Sequence, residues 1–283
     1  MTQKTPAVPL AAPDTIIAGI DVGSTYAKAV LLGPGGDILA RSMLRTGFLL
    51  DKAARSALDQ AVDQAGVAAD DVGYVVSTGY GRNQVSFRDL KVTAITAQGR
   101  GAKHLFPATR TVLDVGGQTM KAIRLDEGGW VWSFRLNDKC AAGTGAFLEK
   151  TARYMGYDTE GIGPLAAEAK QTVPISGVCA VFAESEVINH LSQGVAPGDI
   201  MYSAMVSLVG RSVQLMRRVR MEPEFTLVGG ILRFESMAKA LREELGGEVN
   251  IPPGDTPQFT GALGAAVLGQ LRLGRLHQEA AAA

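Results

Sequence analysis

The sequence predicts an α/β protein with two similar lobes, and three observations carry that reading. Asp21–Val30 reads DVGSTYAKAV and Asp114–Ile123 reads DVGGQTMKAI, so an ungapped alignment matches Asp, Val, Gly, Lys and Ala and sets Val30 against Ile123. Each stretch follows apolar residues (Ile16, Ile17 and Ile20; Val112 and Leu113). Each precedes a turn at the same offset, Gly33-Pro34-Gly35-Gly36-Asp37 and Asp126-Glu127-Gly128-Gly129. Around both copies, strand-like and helix-like runs alternate, which marks the α/β class.

Each copy reads as an antiparallel meander of three strands, the third being Ile38–Leu44 in one and Trp130–Leu136 in the other. Two copies imply two like lobes, since a solenoid needs at least three repeats. Between them, Ala53–Ala65 is helix-like, with Ala54, Leu58, Ala61 and Val62 on one stripe. Val72–Val76 is a short buried strand, stopped by Ser77-Thr78-Gly79-Tyr80-Gly81, and a helix follows over Ile95–Leu105. The second half is more helical: Thr144–Met155, Val181–Leu191, and Ile200–Arg220 with Met201, Met205, Leu208, Val213 and Met216 for its buried face. A strand at Phe225–Val228 ends in Gly229-Gly230, and Gly261–Leu273 is a last helix, rich in Ala and Gly for close packing. The implied organisation is a disordered lead-in (1–14), a first lobe (15–107), a second lobe (108–262) and a closing helix with a frayed tail (263–283).

Composition narrows the function classes. The 283 residues are 46% apolar and 20% charged, as in an ordinary soluble domain. Lys plus Arg equals Asp plus Glu at 28 each, so no global field points to nucleic acid or membrane. The cluster of Arg217, Arg218 and Arg220 reads as a solvated helix face. No apolar run approaches the ~18 residues that span a bilayer, and the first residues lack the apolar segment of a signal peptide. A cytoplasmic protein is expected. Its two cysteines, Cys140 and Cys179, are too few for a disulfide framework.

The repeated motif suits phosphate chemistry. Glycine after a strand lets the backbone turn sharply toward phosphate oxygens, which concerns Gly23 in the first copy and Gly116 and Gly117 in the second. Ser24 and Thr25 add hydroxyl donors, and Asp21 and Asp114 at the strand ends can hold a hydrated Mg²⁺. A single Asp-Gly strand end is an ordinary turn; two copies with matched flanks are not.

Both cysteines precede helices: Cys140 in NDKCAAGTG, and Cys179 just before the run carrying Glu184-Ser185-Glu186. A helix N-terminus lowers a thiol pKa and favours negative charge. An iron–sulfur cluster takes four thiolates, and two cysteines supply half of them, so a second chain would complete the set. The same four thiolates suit zinc, and plain burial also accommodates a free cysteine.

The paired hairpins resemble the phosphate loops of the actin, sugar kinase and Hsp70 superfamily. Leu227-Val228-Gly229-Gly230 is similar to its adenosine motif, and TGALGAA from Thr260 resembles its closing helix. That resemblance implies a two-lobed actin-like (ribonuclease H-like) ATPase fold with the nucleotide in a cleft between the lobes. NDKCAAGTGAFLE, with a second Cys ahead of VFAESEVI, closely resembles the ATP-dependent activator family: ATPase subunits of benzoyl-CoA reductase and activators of 2-hydroxyacyl-CoA dehydratases. The resemblance runs from about Ile16 to Gly269. It implies ATP, Mg²⁺ and one [4Fe–4S] cluster shared by a dimer through Cys140 and Cys179. It further implies a ferredoxin-like electron donor and a CoA-ester reductase or dehydratase as partner.

On that reading Asp21 and Asp114 hold Mg²⁺ and position the attacking water, and Gln118 orients it. Ser24, Thr25, Gly116 and Gly117 cradle the phosphates, with Gly229 and Gly230 on the adenosine side. Lys28 and Lys121 recur in both copies but read as solvated strand residues. TAITAQGR at Thr93–Arg100 departs from the dehydratase activators' pattern, which carries a Cys or His nearby, and so leans toward benzoyl-CoA reductase. A homodimeric dehydratase activator is the alternative, and a small-molecule kinase of actin fold without a cluster, or a scaffold, comes from another class.

Overall fold

The computed structural model describes residues 15–138, 143–177 and 179–281. In chain order the strands and helices are β1 (Ile16–Val22), β2 (Tyr26–Leu32), β3 (Ile38–Arg45), α1 (Leu50–Ala65), β4 (Val72–Gly79), β5 (Leu90–Lys91), α2 (Ala94–Leu105), β6 (Thr111–Val115), β7 (Met120–Leu125), β8 (Val131–Asn137), α3 (Gly145–Tyr154), α4 (Ile162–Ala167), α5 (Ala180–Ser192), α6 (Pro197–Arg218), β9 (Phe225–Val228), α7 (Glu235–Leu245), β10 (Val249–Asn250) and α8 (Thr260–Ala281). They form two compact units, one ending at Gly101 and resuming at Gly261, the other Ala102–Thr260. The lead-in 1–14 lies outside the described residues.

In the first unit the sheet order is β3-β2-β1-β4-β5. The first three strands are the expected meander; β4 and β5 join in parallel. α1 buries Ala53, Ala54, Ala57, Leu58, Ala61 and Val62 in the cluster that holds Ala18, Ile20, Ala27, Ala29 and Leu31. α8 packs on α2 and on β1 with almost no space between backbones. A Cβ on Gly264 would fall 1.8 Å from the Ala97 carbonyl oxygen, and one on Gly19 would fall 1.9 Å from that of Ala262.

The second unit repeats this plan as β8-β7-β6-β9-β10, with the same sense at every pairing. The repeat reaches the register: Asp21 pairs with Lys28 and Asp114 with Lys121. Even the irregularities recur, at Leu31/Leu32 and at Arg124/Leu125. α6 forms the core of this unit. Met201, Met205, Leu208, Val213 and Met216 are buried as their spacing predicts, in one cluster with Leu113, Val115, Met120, Phe147 and Leu148. Arg217, Arg218 and Arg220 are exposed, matching the solvated face expected of them.

The strand expected to stop at Val76 runs on through Gly79, because parallel pairing with β1 draws Ser77, Thr78 and Gly79 into the ladder. α8 extends to Ala281, past the Leu273 that the apolar pattern suggests. α4, α7, β5 and β10 are further elements that the sequence pattern does not mark.

Candidate functional site

The first hairpin is closed by the Gly23 N–H, which donates to the Tyr26 carbonyl at 3.0 Å. A Cβ on Gly23 would fall 2.9 Å from that same oxygen, so glycine serves the turn itself. Thr46, which no sequence motif singles out, clamps the tip: its N–H donates to Thr25 O at 3.0 Å and its hydroxyl to Gly23 O at 2.8 Å. Ser24 stays exposed at the tip and Thr25 half-buried. Asp21, at the end of β1, is 8% exposed and accepts a long bond from Lys28 Nζ at 3.4 Å.

The second hairpin repeats the geometry more tightly. The Gly116 N–H donates to Thr119 O at 2.9 Å. Asp114 is 3% exposed, and Lys121 Nζ lies 2.6 Å from its Oδ2 and 3.0 Å from Thr119 Oγ1. The expectation that these lysines are solvated strand residues is therefore corrected: cross-strand register sets each against a buried carboxylate. Gln118 is exposed at the hairpin tip. The start of α3 docks on this hairpin, with the amides of Gly145 and Ala146 donating to the carbonyls of Gly116 and Gly117 at 2.9 and 2.8 Å.

Each carboxylate faces a glycine at the end of the neighbouring parallel strand, Gly79 as the last residue of β4 and Gly229 just past β9. Gly229 adopts φ +99, and a Cβ there would fall 2.3 Å from Val115 O and 2.8 Å from Asp114 Oδ1. Its structural counterpart is Gly79, at φ +89, where a Cβ would fall 2.4 Å from Asp21 Oδ1 and 2.5 Å from Val22 O. Only a residue without Cβ adopts this backbone at no steric cost. The clue to Gly79 lies in the Ser-Thr-Gly run, masked by its likeness to a plain turn. Gly230 opens the short 3-10 turn Gly230–Arg233. In the first unit Gln98 joins the group: a Cβ on Gly261, in the first turn of α8, would lie 3.1 Å from Asp21 Oδ2 and 3.2 Å from Gln98 Nε2. Gln98 is 7% exposed.

Each unit by itself offers donor types that suit a magnesium nucleotide: a carboxylate at a strand end with glycine-lined backbone beside it, and, in the first unit, hydroxyls at the hairpin tip.

Cys140 lies outside the described residues. Cys179 is partly exposed and occupies the N-cap of α5 in an extended conformation. α5 is tied to α3 by Lys150, whose ammonium lies 2.7 Å from Glu184, with Tyr154 Oη donating to the same carboxylate at 3.3 Å. The helices that follow the two cysteines in sequence are thus neighbours. Among the described residues no group of three or more His, Cys, Asp or Glu side chains could hold a metal ion.

Two like sheets, each with a carboxylate-tipped hairpin beside a glycine-ended parallel strand, define an ATPase of the actin-like fold. A ROK family glucokinase from Streptomyces griseus shares that fold at 14% identity, with a TM-score of 0.56 over 90% of this chain and 99% of the kinase. The chain belongs to the BadF/BadG/BcrA/BcrD ATPase family, whose model matches residues 18–269. It is 41% identical to the activator of lactoyl-CoA dehydratase from Anaerotignum propionicum, over 88% of this chain and 95% of the relative. It is 36% identical to a benzoyl-CoA reductase subunit from Thauera aromatica, over 94% of this chain and 98% of that relative. Among solved structures, the activator of the 2-hydroxyisocaproyl-CoA dehydratase from Clostridium difficile with bound ADPNP superimposes with a TM-score of 0.87 at 36% identity, covering 94% of this chain and 98% of that one. No helix among the described residues is long and apolar enough to cross a membrane.

Proposed function

We propose that this chain is the ATP-hydrolysing, electron-delivering activator of a 2-hydroxyacyl-CoA dehydratase. The observation that carries the reading is the 41% identity to a dehydratase activator across 95% of that relative's length. The lean toward benzoyl-CoA reductase drawn from TAITAQGR gives way to this weight of similarity.

Asp21 and Asp114 would hold the hydrated Mg²⁺ of ATP, with Lys28 and Lys121 paired to the two carboxylates across their hairpins. Because the Gly23 and Gly116 amides close their own turns, phosphate contact falls to Ser24, Thr25, Gly117 and Gln118. Gly229 and Gly230 let the chain pass close to the nucleoside. Two carboxamides are able to orient the attacking water: Gln118 at the hairpin tip, and Gln98, already held beside Asp21. Cys140 and Cys179 would hold a [4Fe–4S] cluster together with the same pair from a second chain, and that cluster would supply one-electron transfer at low potential. The α3 amides on Gly116 and Gly117 link the phosphate hairpin to the helix that follows Cys140. The partners this reading calls for are a ferredoxin-like electron donor and a dehydratase component that would accept the electron.

The test is reconstitution. Purified anaerobically and mixed with ATP, a low-potential reductant and a 2-hydroxyacyl-CoA dehydratase component, the chain switches on dehydration in an ATP-dependent way. A second reading, the ATPase subunit of a benzoyl-CoA reductase, has one observation in its favour: the match to the Thauera aromatica reductase subunit spans more of this chain, 94% against 88%. Restoration of a reductase lacking its ATPase subunit, with no effect on dehydratases, would decide for it.

A further inference from the structure

We infer that Thr78 is a ligand-facing hydroxyl of the nucleotide site, hydrogen-bonded to a water of the hydrated divalent cation held by Asp21. The inference rests on the Mg²⁺–nucleotide reading of that carboxylate and adds a residue to it.

Thr78 pairs directly with Asp21 across the parallel β1–β4 ladder. Side-by-side residues of a parallel pair share a face, so the hydroxyl-bearing side chain stands beside the carboxylate. Thr78 is 0% exposed, and its Oγ1 has no hydrogen-bond partner among the described residues. An unpartnered buried hydroxyl costs stability, so one retained beside a carboxylate calls for an explanation.

The duplicated fold supplies the control. In the second unit Asp114 pairs with Val228, which is also 0% exposed. Valine has the shape of threonine without the hydroxyl, so the strand packs well without that oxygen. The first unit thus keeps a polar atom the architecture does not require, next to its carboxylate.

The two carboxylates differ in the same sense. Asp114 is held by its lysine at 2.6 Å, whereas Lys28 stands 3.4 Å from Asp21. Asp21 is the less tightly claimed, and Gln98 lies at its other side. Mg²⁺ gives up its waters reluctantly and is usually held through them. A hydroxyl accepts from such a water as readily as it donates. Asp21, Thr78 and Gln98 together make an outer-shell cradle for a hydrated divalent cation.

The experiment compares wild type, Thr78→Val and Thr78→Ser by calorimetric titration with ADP, with and without Mg²⁺, and by melting of the ligand-free proteins. Thr78→Val copies the residue at the equivalent position of the second unit. We expect it to melt at or above wild type, to bind ADP alone unchanged, and to bind MgADP about tenfold more weakly, the scale of one lost hydrogen bond. Thr78→Ser restores MgADP binding. Equal MgADP affinity in Thr78→Val, an equal loss with and without Mg²⁺, or a lowered melting temperature overturns the inference while leaving the nucleotide site standing. A wild type that binds no MgADP overturns the nucleotide reading and this inference with it.

Discussion

The two copies of the hairpin differ in how tightly lysine grips aspartate, and that difference sets a measurable expectation. Replacing Lys121 with Met keeps most of the side-chain stem but removes the cation from Asp114, whose side chain is 4% exposed. Breaking a buried pair from one side costs roughly 3–5 kcal/mol, because the remaining charge is uncompensated. Lys121 is itself 14% exposed, so water offsets part of this loss and about 3 kcal/mol is expected. In Lys28→Met the pair is longer, 3.4 Å, and Asp21 is 12% exposed along its side chain, so about 1 kcal/mol is expected. The gap of about 2 kcal/mol is more than tenfold in the unfolding equilibrium. Urea unfolding of the full chain at neutral pH measures it. Both tryptophans, Trp130 and Trp132, lie in the second unit, so their fluorescence follows that unit while far-ultraviolet dichroism follows the whole chain. Lys121→Met should lower the fluorescence midpoint and Lys28→Met should leave it nearly in place. Equal shifts, or a Lys121→Met effect under about 0.5 kcal/mol, the usual range of surface substitutions, would refute the claim that the second pair is the tighter anchor.

Other consequences follow from the same geometry. Gly79→Ala and Gly229→Ala each place a methyl against backbone and carboxylate at positive φ, so each should destabilise by about 2–4 kcal/mol in urea unfolding. Both should also lose ATPase activity, since the methyl displaces Asp21 or Asp114. Glu222 gives the acid limb of stability: hydrogen bonding from Arg110, then the charges of Arg124 and Arg110, hold its carboxyl below the ordinary 4.5. A depressed carboxylate stabilises above its unfolded pKa and loses that contribution as pH falls through the folded one. Melting temperature should therefore decline below about pH 4.5, and Glu222→Gln should flatten that part of the decline. Asp199, lowered by the backbone amides of Lys170 and Gln171, acts in the same direction below 3.8 and is untouched by that substitution.

What the sequence discloses and what it hides divide along physical lines. The Asp-Val-Gly copies are legible because a strand, a tight turn and a strand leave a mark within ten residues, and the mark occurs twice. The buried stripe of α6 is legible for a like reason, its methionines and leucines recurring at helical period. The role of Lys28 and Lys121 is hidden because it depends on pairing register, which a charged residue on a hairpin does not announce. Gly79 is hidden by its neighbours: Ser-Thr-Gly-Tyr-Gly has turn composition, yet parallel pairing to β1 holds its first three residues in the sheet. α4 has six residues including a proline, too short for any period to emerge. Gln98 sits on a helix whose importance arises only once α8 and β1 close around it.

The proposed function holds that this ATPase carries half of a shared cluster and moves electrons with it. Anaerobic purification followed by counting iron and acid-labile sulfide per chain, together with mass in solution, tests that claim most directly. A dimer with about two irons per chain, reduced to little or none in Cys179→Ser while nucleotide binding survives, is the predicted result. A well-folded, ATP-hydrolysing protein with no iron, whose activity is indifferent to Cys179→Ser even when co-purified with a paralogous subunit, would contradict it and return the chain to the kinases and scaffolds of its fold.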